Sequence, residues 1–99
     1  MERTAIIRDC FDLLAGFEQL NRAEQTDVFN AVIDTLGSYP KPMRKTSTRP
    51  ATSAQIGCYL CVSNVRNACK LATFGQIGNQ TALQIVQDNL EKAYSLLVE

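Results

Sequence analysis

The sequence contains no histidine and no tryptophan. Without an imidazole there is no His ligand for zinc, no base to activate a serine or cysteine nucleophile, and no group that switches charge near neutral pH. Without tryptophan, and with aromatics at only 7% of residues, little material remains for a base-stacking surface. No uninterrupted apolar run approaches the roughly 18 residues of a bilayer span. The start, MERTAIIRDC, carries charges at Glu2, Arg3, Arg8 and Asp9 and has no continuous apolar core, so no secretory signal is read there. Phosphate-loop, dinucleotide-glycine and G-x-S-x-G patterns are all missing. The paired acids Asp9 and Asp12, and Glu24 and Asp27, fall where solvated helix surface is expected. These absences set the expectation of a non-enzymatic, cytoplasmic protein that uses no cofactor and no metal and touches no membrane.

What is present is helical periodicity. The 99 residues, 45% apolar and 20% charged, are expected to form one domain over 1–99 with one core. Ile6, Cys10, Leu13, Phe17 and Leu20 recur at the helical period and place a first helix over about 4–20. Gly16 is its weak point. Asn21 with Glu24 makes a capping-box pattern, and Val28, Phe29, Val32, Ile33 and Leu36 give a second helix over 22–36 closed by Gly37. A third helix is expected over 53–74. A fourth, over 80–98, opens with Thr81 and Gln84 as a second capping-box pattern, with Asn79 as rival cap. No segment alternates for long enough to make a strand. The fold class that follows is all-α: a small four-helix, bundle-like domain with a long Pro/Ser/Thr-rich loop over 37–52 between the second and third helices.

The zero net charge conceals segregation. Residues 1–34 carry seven acids and three bases, residues 35–87 carry six bases and no acid, and residues 88–99 carry three acids and one base. The six bases are Lys41, Arg44, Lys45, Arg49, Arg66 and Lys70. They constitute a candidate site for an anion or an acidic partner, with nucleic acid the alternative to a protein. The competing reading is a solvated surface partly paired with the acidic first two helices.

Three of the four cysteines sit in IGCYLCVSNVRNACK, residues 56–70. At 100° per residue, Cys58, Cys61 and Cys69 share one stripe with Val65 and Ala72, which is how cysteine behaves as a small buried hydrophobe. A zinc site would need all four cysteines, and a redox C-x-x-C would need a preceding strand. A thiol or metal protein is thus the third functional reading. On the opposite side of the same helix lie Ile56, Leu60 and Leu71, with Asn64 and Asn67 among them. In the fourth helix Leu83, Val86, Leu90, Ala93 and Leu97 are spaced 3-4-3-4, the seam of a bundle or short coiled coil. Ile56, Leu60 and that seam are the candidate helix interface. The leading expectation is a helical protein of adaptor, inhibitor or chaperone type, whose partner is another protein and conceivably a second copy of itself.

Overall fold

The computed structural model describes residues 2–41 and 52–98. It is all-α, with four helices: α1 (Arg3–Leu14), α2 (Arg22–Leu36), α3 (Ser53–Thr73) and α4 (Asn79–Val98). Each helix packs on the next in sequence, and α1 closes the ring against α4. Contacts fix the direction of each element. Tyr39, just past α2, touches Cys58 near the start of α3, while Cys58 in turn reaches Ala93 near the end of α4. At the other end Asn79, the first residue of α4, donates to Gln25 near the start of α2. Neighbouring helices therefore run antiparallel, the arrangement of an up-down-up-down bundle.

The first helix is shorter than its periodicity suggests. It ends at Leu14, and Gly16 takes a left-handed conformation (φ 74°) ahead of one 3₁₀ turn at Phe17–Gln19. Only glycine adopts that φ at little cost. The bend has a packing consequence: Phe17 turns inward onto Phe29, with ring centroids 5.0 Å apart and tilted by 46°. The Gln25 amide then seals the turn by donating to the carbonyls of Phe17 and Leu20. A continuous helix over 4–20 would keep both the bend and those carbonyl acceptors from forming.

The capping box at Asn21 and Glu24 is present, with both reciprocal bonds made at 2.9 and 3.1 Å. A second one opens α3, where Thr52 and Gln55 pair at 2.9 and 3.1 Å. The box expected at Thr81 and Gln84 does not form. The helix α4 already begins at Asn79; Gln84 donates instead to Asp88 one turn on, and Asn79 serves as a tie to α2 rather than as a cap. One residue of the loop expected over 37–52, Tyr39, also belongs to the core. Tyr39 is buried and stacks at a tilt near Tyr59 of α3.

The core comes from one face of each helix. Ile6, Ile7 and Cys10 of α1, Phe29, Val32 and Leu36 of α2, and Val86, Leu90 and Ala93 of α4 are all essentially without solvent contact. The contribution of α3 is chemically different. Its inward residues are Cys58, Cys61, Val62, Val65, Ala68, Cys69 and Ala72, all of them small. A ridge of short side chains lets the neighbouring helix axes approach closely. Gly57 shows how closely: a Cβ there would meet Leu96 Cδ1 of α4 at 3.3 Å.

Candidate functional site

Because α3 fills the core with small residues, its large ones lie elsewhere. Ile56, Leu60, Leu71 and Phe74 are exposed to 47%, 58%, 38% and 75%. Among the described residues they make up four of the five large exposed hydrophobics, the fifth being Val98 at the end of α4. At 100° per residue, positions 56, 60, 67 and 71 fall on one outward stripe opposite the cysteines, and Phe74, the capping residue, follows at the end of the helix. Scattered surface leucines need no explanation, but an aligned set along a single helix does. The exposed fractions amount to roughly 400 Å² of apolar surface, within the range of the largest patch on a typical monomer, which is often functional.

A groove of about 650 Å³ lies between α3 and α4. Gly57, Cys61 and Leu96 supply its apolar lining, and Asp88, Glu91 and Lys92 of α4 its charged side. Gly57, lacking a side chain, keeps this lining low. Beside the stripe, Asn64 donates its amide to Asn89 of α4 at 3.2 Å and ties the two helices together.

The seam of α4 has a different fate from the stripe. Leu83, Val86, Leu90 and Ala93, read from sequence as part of the candidate interface, are buried in the chain's own core, and Leu97 is half-buried. A 3-4-3-4 spacing serves packing within one chain as well as packing between chains. Of the interface residues named from sequence, Ile56 and Leu60 alone are exposed. Phe74 escaped the sequence reading because it sits at the expected end of the helix. Its spacing, eighteen residues beyond Ile56 and so five turns along, is the signal that would have found it.

Among the described residues, the bases Lys41, Arg66 and Lys70 are not drawn into one cluster. Lys41 and Lys70 are exposed, and Arg66 is half-buried with its Nε shielded and without a hydrogen-bond partner among the described residues. Arg66 and Lys70 lie on the Tyr59 side of α3, toward α2. Tyr59 is near Tyr39 and hence near Lys41, yet Lys70 is about 16 Å further along the axis at 1.5 Å per residue. Arg44, Lys45 and Arg49 lie outside the described residues.

All four cysteines are buried free thiols. Burial pushes the Cys10 and Cys69 thiols up to about 12, with Asp9 adding to the effect at Cys10 and Cys10 adding to it at Cys69. Cys58 is also raised, by burial first, even though the Tyr39 hydroxyl at 2.8 Å works the other way. Thiols held in the protonated form are poor nucleophiles and poor metal ligands. Among the described residues no group of three or more His, Cys, Asp or Glu is placed to hold a metal ion, and no helix is long and apolar enough to cross a membrane. Compared with protein-family models, with curated proteins and with solved structures, the chain matches none.

Proposed function

We propose that this chain is a non-enzymatic interaction module and that the outward stripe of α3 is its docking face for another protein. One observation carries the reading: α3 buries its small side chains and exposes its large ones. Burial stabilises in proportion to apolar area, about 25 cal/mol per Å². A helix selected only to complete this bundle would carry polar residues at the outward positions held by Ile56, Leu60, Leu71 and Phe74. Their outward placement puts the larger gain where only a partner can collect it. The adjoining groove, with its apolar lining and the charges of Asp88, Glu91 and Lys92, suits the edge of a helical or extended partner segment.

The experiment is site-specific photo-crosslinking in the native host. A crosslinking amino acid at position 60 or 74 is expected to capture a partner protein, and the same group at Asn30, exposed on α2, is not. Equal capture at all three positions sinks the reading, provided circular dichroism shows every variant folded.

A second reading, binding of nucleic acid or another phosphate-bearing ligand, is favoured by the acid-free stretch over 35–87 and by the exposure of Lys41 and Lys70. It predicts binding that weakens steeply between 50 and 200 mM salt and disappears after nuclease treatment. Docking through the α3 stripe predicts neither.

A further inference from the structure

We draw no further inference here: the strongest candidate, the groove of about 650 Å³ between α3 and α4 lined by Gly57, Cys61, Asp88, Glu91, Lys92 and Leu96, carries nothing because nothing in the structure shows what covers it.

Discussion

Leu60 and Leu90 are the same residue type on two packed helices, yet one is 58% exposed and the other is fully buried. Truncating each to alanine should separate their roles. At position 90 the change removes transferred apolar surface and leaves a hole. The facing residues of α3 are Cys, Val and Ala, too short to reach into it, so the cost is expected at about 3–4 kcal/mol. Leu60→Ala, on the surface, should stay within about 0.5 kcal/mol. For a chain of this size, with a urea slope of about 1.2 kcal/mol/M, Leu90→Ala moves the unfolding midpoint down by about 2.5–3.3 M and Leu60→Ala by less than about 0.5 M. The assay is urea denaturation followed by circular dichroism at low micromolar concentration, so that any association adds little to stability. The aspartate pair sharpens the contrast: Leu90→Asp buries an unpaired charge and should leave the chain unfolded, whereas Leu60→Asp should leave it folded. If Leu90→Ala and Leu60→Ala shift the midpoint equally, the assignment of the α4 seam to the core is wrong, and with it the contrast between a buried α4 seam and an exposed α3 stripe.

Gly16→Ala should lower stability by about 1 kcal/mol or slightly more, because alanine is strained at φ 74°; an unchanged thermal midpoint would show that the bend after α1 does not need glycine. The thiols carry a pH signature. Cys10 and Cys69 stay protonated in the folded state up to about 12, while unfolded thiols ionise near 8.5, so unfolding releases protons between these values. Stability from this source is fully present below the unfolded pKa and falls as pH rises from about 9 toward 12; a flat urea midpoint from pH 8 to 11 would contradict it. In native buffer, thiol reagents should label Cys10 and Cys69 only as fast as the chain opens, and labelling at the rate of a free thiol would place these side chains outside the core.

The order and type of the helices were legible because each has a strong 3.6-residue pattern and α2 begins with a capping box that the sequence shows. What was missed has local causes. Periodicity continues through Gly16, as Ile6, Cys10, Leu13, Phe17 and Leu20 are all apolar, so pattern alone cannot see that Phe17 reaches the core around a bend rather than along a helix. Tyr39 follows the expected Gly37 stop and precedes Pro40, and one aromatic in such a stretch has no period to betray its burial. At the start of α4, Thr81–Gln84 had the right letters for a capping box. The helix starts earlier because Asn79 gains a partner in Gln25, fifty-four residues away, a contact that no local window contains.

The candidate site was half legible for a related reason. A helical wheel separates the two sides of α3 correctly but does not say which is inside. Hydrophobicity alone favours burying Ile56, Leu60 and Leu71 over the cysteines. The outcome is decided by size. Four helices of 12 to 21 residues already bring Phe17, Phe29, Ile6, Ile7, Leu36, Leu83 and Leu90 to the centre, and volume there is limited because interiors are close-packed. A fourth wall of Ile, Leu and Phe would overfill it, at a typical cost of about 1–3 kcal/mol per oversized side chain. Cysteine, valine and alanine complete the wall without strain, and Gly57 lets Leu96 settle against it. The cysteine-rich stripe is therefore a consequence of crowding from the other three helices. The large residues of α3, excluded from that interior, form an extended apolar face among the described residues.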